Sequence, residues 1–196
     1  MGLLRACADA VLLGAGTLRA TPGHRWTADH VFPRMTGPFA DLRARLGRKP
    51  QPRLVVITAS GDFDTSHPAV VEGVTIITTK HGAAALEGKL PDAAEVLTIE
   101  KSGRVDLQHA VRELRGNGFN VLLTEGGPHL MGDLLSADLL DEAFVTISPV
   151  IAGRNGETRH GMIAGAELLP GHNLWSRLLS ARRYGDFLFL RYGLRR

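Results

Sequence analysis

One cysteine, Cys7, is all that the 196-residue sequence offers, which excludes an internal disulfide framework and any cysteine-based zinc site. Aromatic residues are sparse at 6%, and they do not interleave with basic residues as a nucleic-acid-reading face requires. No apolar run approaches the roughly 18–20 residues of a membrane span; the longest, at Ala10–Gly14 and Val55–Ile57, are strand-sized. The first residues carry a lone Arg5 and no apolar region ahead of a cleavage site, so no signal peptide is read and the expected setting is cytoplasmic. There are eight histidines, but none in H-E-x-x-H spacing, so no metal site is expected. Neither Ser60 nor Ser136 sits in a G-x-S-x-G elbow, which argues against a hydrolase triad.

With 44% hydrophobic and 22% charged residues, the chain can bury one sizeable core, and residues 1–196 are expected to form a single domain. The net charge of +3 is scattered over Arg43, Arg45, Arg48 and Lys49, then Arg182 and Arg183, then Arg195 and Arg196. A mild positive field of this kind suits an anionic small molecule better than DNA or RNA.

Strand-like and helix-like segments alternate, the pattern of a largely parallel sheet covered on both faces. Strands are expected at Ala10–Gly14, Arg53–Thr58, Val74–Thr79, Val96–Ile99, Asn120–Thr124 and Glu142–Ser148. Leu107, Ala110, Val111 and Leu114 recur at helical spacing after Asp106, a good N-cap, with Gly116 or Gly118 as terminator. Pro128–Ser136 reads as a helix with proline in its tolerated first turn, and Gly82–Leu86 as a short one. Gly185-Asp186 separates Trp175–Tyr184 from Phe187–Tyr192, predicting a terminal antiparallel hairpin. Thr21–Pro52, rich in proline and glycine with a helical patch at Phe39–Leu46, is a long irregular stretch of the kind that often binds ligands.

Two stretches share one grammar. Ala10-Val-Leu-Leu-Gly14-Ala-Gly16-Thr17 and Asn120-Val-Leu-Leu-Thr-Glu125-Gly126-Gly127-Pro128-His129-Leu130 are each a buried strand turning through small residues into a helix. Glycine there lets backbone approach a ligand, and the helix start favours a phosphate. The alternative is that the glycines merely make tight turns. Arg19 occupies the third glycine position of a G-x-G-x-x-G fingerprint, and no acidic residue ends a second strand about twenty positions on, so a Rossmann unit is disfavoured. Gly82…Gly88-Lys89-Leu90 has the wrong spacing for a nucleoside-triphosphate loop.

Ala8-Asp9-Ala10 through Thr17, Leu123 through Leu130, and Leu140-Asp141-Glu142…Ser148-Pro149-Val150-Ile-Ala-Gly153 resemble the reductase domain of riboflavin biosynthesis, related in fold to dihydrofolate reductase. The resemblance covers essentially the whole chain, and it implies an α/β fold: a three-layer α/β/α sandwich with a mixed sheet and a C-terminal antiparallel hairpin. It also implies a homodimer and NADPH as hydride donor. Cofactor contacts would come from Thr17 and from the backbone of Gly127, Pro128, His129 and Leu130, with Gly14, Gly16 and Gly126 giving room. Ser60 would meet the adenosine end, and Lys80 is a weaker candidate for its 2′-phosphate. Glu125 matches a substrate-binding carboxylate, its alternative role being an acceptor that ties down the glycine turn. Thr21 stands on the substrate side, where the family carries an acidic pair before proline. No residue is singled out as catalytic. The implied reaction reduces the ribosyl group of 5-amino-6-(5-phosphoribosylamino)uracil to ribityl, with a pterin or dihydrofolate reductase and a non-catalytic NADPH-binding homologue as alternatives. The family also carries a strand and a Ser-Leu-Asp-Gly-like motif ahead of the helix in which this sequence begins.

Overall fold

Three runs of valine, isoleucine and leucine become strands buried on both faces, as parallel strands under helices must be. They are β1 (Ala10–Gly14), β2 (Arg53–Thr58) and β3 (Val74–Thr78). With β4 (Glu95–Thr98) and β7 (Leu122–Thr124) they form a parallel sheet of order β4-β3-β2-β1-β7. The computed structural model describes residues 1–151, 161–168 and 175–194. These fall into two compact units, Met1–Gly127 and Pro128–Arg196.

Within the first unit the alternation of side chains sorts two cores. Val11, Leu13, Leu54, Val56, Val74 and Ile76 face one side. There they meet Ala15 and Leu18 of α2 (Ala15–Ala20), Ala69 and Val70 of α5 (Pro68–Val71), and Leu86 of α6 (Lys80–Leu86). Trp26 completes this core. Ala10, Leu12, Val55 and Ile77 face the other side, against Ala110 and Leu114 of α7 (Leu107–Gly116). The sheet is therefore the middle of three layers. Asp106 caps α7 by accepting from the His109 N–H at 2.9 Å.

The segment expected to be irregular holds α3 (Ala28–Val31), a 3-10 turn at Pro33–Met35 and α4 (Thr36–Arg45). Ahead of β1 lies α1 (Gly2–Cys7). Between β4 and α7 a hairpin of two-residue strands, β5 (Glu100–Lys101) and β6 (Arg104–Val105), turns at Ser102-Gly103. Both turn residues take positive φ, 52° and 73°, as a primed two-residue turn requires. At the base of the sheet Asp9 accepts from the N–H groups of Asn120 and Val121 and pairs with Arg48. Partial burial opposes its ionisation, but these hydrogen bonds and the Arg48 charge hold the carboxyl below its ordinary range.

The second unit contains α8 (Pro128–Ser136), which buries Leu130, Gly132 and Leu134. It also holds an antiparallel sheet of order β8-β10-β9, made of β8 (Glu142–Ile147), β9 (Arg177–Tyr184) and β10 (Phe187–Gly193). The expected hairpin is β9–β10, with Gly185 at φ 55° in its two-residue turn. The parallel and antiparallel pairings of a mixed sheet are both present, distributed over two hydrogen-bonded sheets. The motif ending at Gly153 runs beyond the described residues. No helix among them is long and apolar enough to cross a membrane.

Gly82 is fixed by packing: a Cβ there would collide with the Thr78 hydroxyl and lie 2.8 Å from the Ala59 carbonyl. Gly82→Ala is predicted to lower stability by about 2 kcal/mol, readable as a drop in denaturant midpoint.

Candidate functional site

Strands β1 through β4 are laid down in one direction across the sheet, and the chain then returns through α7 to place β7 on the free side of β1. The order of strands reverses between β1 and β7. In open α/β sheets the ligand crevice lies beyond the carboxyl ends at such a reversal. Both glycine turns are there. Register pairs Leu12 with Thr124 and Gly14 with Ile57, and the Glu125 N–H donates to the Leu12 carbonyl at 3.0 Å. The turn after β7 thus runs alongside the end of β1.

The glycines in these turns differ from Gly82. A Cβ on Gly14 would meet nothing within 4 Å, one on Gly16 only the Arg19 guanidinium at 3.9 Å, and one on Gly127 only the Thr17 hydroxyl at 3.6 Å. None of the three has a left-handed φ. Neither backbone strain nor internal packing among the described residues demands glycine at these positions. A tight turn alone does not account for them, whereas a surface that must admit a ligand against bare backbone does. The residues present therefore fit a cofactor phosphate approaching these turns.

Beneath the crevice lies an ion pair. Arg5 is 3% exposed and Glu125 12%. Arg5 Nε donates to Glu125 Oε1 at 2.6 Å and Nη2 to Oε2 at 2.7 Å. Nη1 donates to the carbonyls of Arg25 and Thr27 at 3.0 and 3.2 Å, and the remaining Nη2 hydrogen faces His24 Nε2 at 3.1 Å. All five guanidinium N–H groups are directed at acceptors. Glu125 is thereby fixed through both oxygens, which ties the glycine turn to α1 and to the loop after α2. His24 sits edge-on to Trp26 and His30, at centroid distances of 5.0 and 4.6 Å. Burial, then the Arg5 charge and then His30, push its pKa down, against a smaller opposing pull from Glu125.

The other expected residues divide. Thr17 joins Gly127, as above. Thr21 ends α2, donating its hydroxyl to the Thr17 carbonyl at 2.8 Å, while its own carbonyl takes the His67 Nε2–H at 3.1 Å. Ser60 is exposed just past β2, and its hydroxyl accepts from the Asp62 N–H at 3.3 Å. Lys80 opens α6, exposed, with its N–H donating to Glu100. Pro128, His129 and Leu130 form the first turn of α8 in the second unit, where the Pro128 carbonyl accepts from the Ala164 N–H. No cluster of metal-ligating side chains occurs among the described residues.

Sequence reasoning missed Arg5 and His24. Arg5 lies 120 positions from Glu125 and 19 from His24, separations at which no periodicity speaks. It also missed that Arg19, in the third glycine position, reaches the Asp62 carbonyl beside Ser60. A lone arginine at 5 before an all-apolar strand was the one signal available.

Comparison with known proteins agrees with this architecture. The RibD C-terminal domain family matches residues 1–184, and the chain belongs to that family. A 2,5-diamino-6-ribosylamino-4(3H)-pyrimidinone 5′-phosphate reductase of Archaeoglobus fulgidus is 30% identical over 162 residues, covering 79% of this chain and 68% of that protein. A pyrimidine reductase-like protein of Corynebacterium diphtheriae superposes with TM-score 0.68 at 19% identity, covering 100% of this chain and 79% of that one. Acinetobacter baumannii RibD does so with TM-score 0.73 at 18% identity, covering 100% and 49%. The two structural likenesses establish a shared fold.

Because a Cβ on Gly127 reaches only ordinary contact with Thr17, Gly127→Ala should change unfolding free energy by less than about 0.5 kcal/mol. If these turns hold the phosphates of a nicotinamide cofactor, NADPH affinity should nevertheless fall about tenfold or more, measured by calorimetry on the same preparation. Arg5→Met strands Glu125 without its cation and should cost about 3–5 kcal/mol in denaturant unfolding.

Proposed function

We propose that this member of the RibD C-terminal domain family is an NADPH-dependent reductase that converts the ribosyl group of 5-amino-6-(5-phosphoribosylamino)uracil to ribityl. The observation that carries the reading is the pair of glycine turns at the strand reversal, where neither a left-handed φ nor internal packing requires Gly14, Gly16 or Gly127. Both units are read as one reductase domain.

In this reading the backbone at Gly14, Gly16 and Gly126–Leu130 holds the cofactor's phosphates, with Thr17 between the two turns and Ser60 toward the adenosine end. The cofactor supplies a hydride when bound. Substrate sugar opens to an imine; C1′ accepts the hydride and the nitrogen a proton, for which no side chain is assigned. The protein's contribution is to position the two reactants and exclude water. Glu125 and Thr21 lie on the substrate side. With each Glu125 oxygen already held by Arg5, the carboxylate meets substrate through its remaining lone pairs in a fixed orientation.

A homodimer belongs to this proposal. The antiparallel sheet leaves apolar side chains open on both faces, Leu188 at 40% and Phe189 at 43% among them, and register places Leu188 with Ile147 on one face and Phe189 near Phe144 on the other. Exposure of this extent favours cover by a second copy.

Steady-state assays should show NADPH oxidation coupled to formation of a ribitylamino product. The diamino-pyrimidinone named for the archaeal relative is to be run beside the uracil substrate, and dihydrofolate beside both. Turnover only on dihydrofolate, or tight NADPH binding with no turnover, would overturn the assignment. Sedimentation equilibrium is expected to give a dimer. Leu188→Asp and Phe189→Asp, on opposite faces, should identify the covered face by which one yields monomer, and a monomeric parent protein would refute the dimer.

A further inference from the structure

We infer that His24 is a positioning residue of the glycine-turn site, acting through Arg5 and only with its ring neutral. The inference rests on the cofactor reading above. Arginine has no acceptor atom, so the 3.1 Å approach of Arg5 Nη2 to His24 Nε2 is a hydrogen bond only if Nε2 offers its lone pair. A proton on Nε2 would set N–H against N–H and cation against cation. His24 must then leave, and one of the five guanidinium hydrogens loses its acceptor in a buried site.

Every charged or titratable group around the ring bears on the same event. Arg5 faces it from α1, Glu125 from the turn after β7, His30 from α3 and His67 from the N-cap of α5. Arg25, next in sequence, is engaged by Glu72 at 2.6 Å. Burial first, then Arg5, His30 and His67, oppose a charge on His24, and Glu125 alone favours it. His67 has its own bonds: Nδ1 accepts from the Ala69 N–H, so Nε2 carries the proton given to Thr21.

The consequence reaches the site because Arg5 holds both edges of it. Its Nη2 serves His24 and Glu125 Oε2, and its Nη1 holds the carbonyls of Arg25 and Thr27. Expelling His24 frees the loop after α2 and loosens the grip on the residue that begins the Glu125-Gly126-Gly127 turn. The sign follows from the depressed pKa. The unfolded chain takes up the proton at the ordinary imidazole value of about 6.5 and the native state only at lower pH. The native contact therefore contributes fully above that value and is lost as pH falls through the native pKa.

The test measures NADP+ binding, the oxidised form being stable in acid, and thermal midpoints from pH 5 to 8 on the full chain. The wild type is compared with His24→Gln, whose side-chain oxygen can accept from Arg5 and does not titrate, and with His24→Leu. His30→Gln serves as control. In wild type and His30→Gln the midpoint should fall below about pH 6.5 and the affinity at lower pH, where native His24 takes up its proton; His24→Gln should keep both, and His24→Leu should bind about tenfold more weakly throughout. Titration of the cofactor's own phosphate is common to all four proteins, so the difference between them isolates the ring. An acid limb unchanged in His24→Gln, or one that moves to His30→Gln, overturns the inference, as does wild-type affinity in His24→Leu. If no protein binds NADP+ at any pH, the cofactor reading and the positioning role fall together. The midpoints then still show whether neutral His24 holds Arg5.

Discussion

The buried guanidinium of Arg5 is the constraint on which the upper edge of the first unit depends. It joins a helix, a loop and a glycine turn that are distant in sequence, and it does so with every donor matched. Such a pair adds little net stability, because desolvating both charges consumes most of their attraction. What it supplies is geometry. An apolar replacement could fill the volume but could not orient the carboxylate, and lysine, with three donors, could not address five acceptor positions.

A second arginine supports the first. Arg43 is 2% exposed, and its Nη1 donates to the carbonyls of Arg5, Ala6 and Ala8, with Nε donating to the Lys49 carbonyl. It adds partners to carbonyls at the end of α1, where the helix itself supplies only the Ala8 N–H to the Arg5 carbonyl. The relay runs from α4 to the backbone of α1, and from the side chain of Arg5 to the turn after β7. Two cations that composition assigns to surface charge are thus spent inside the fold, with Arg48 committed to Asp9 besides. Arg5 and Arg48 each take a carboxylate with them, so only Arg43, held by carbonyls, lowers the basic excess left for the surface.

How much of this was legible follows from distance along the chain. β1, β2 and α8 lie where hydrophobic runs and turn residues place them, because those signals are local. The start of β7 is later than expected, since Asn120 and Val121 spend their N–H groups on the Asp9 side chain. Helix α3 was invisible because four residues carry no periodicity; its cap is Thr27, accepting from the His30 N–H. The β5–β6 hairpin was equally too short, although Ser102-Gly103 is a turn signal. Glu125 was recognisable as important, but its partner was not: an ion pair 120 residues apart leaves no mark in pattern or spacing.

The pairing of Arg5 with Glu125 bears on which of two roles the carboxylate serves. A side chain waiting for substrate and a side chain anchoring the turn had equal standing from sequence. With both oxygens engaged at 2.6 and 2.7 Å, the anchoring role is occupied, and a substrate contact must add to it without displacing Arg5. That ordering has a chemical consequence. A ligand hydrogen-bonding Glu125 would feel the polarisation of the Arg5 pair and, through the same guanidinium, the loop at His24, Arg25 and Thr27. The two sides of the site are therefore not independent surfaces. The loop of Thr21-Pro22-Gly23-His24 shares one cation with the glycine turn at Glu125, so a change in either is transmitted to the other through Arg5.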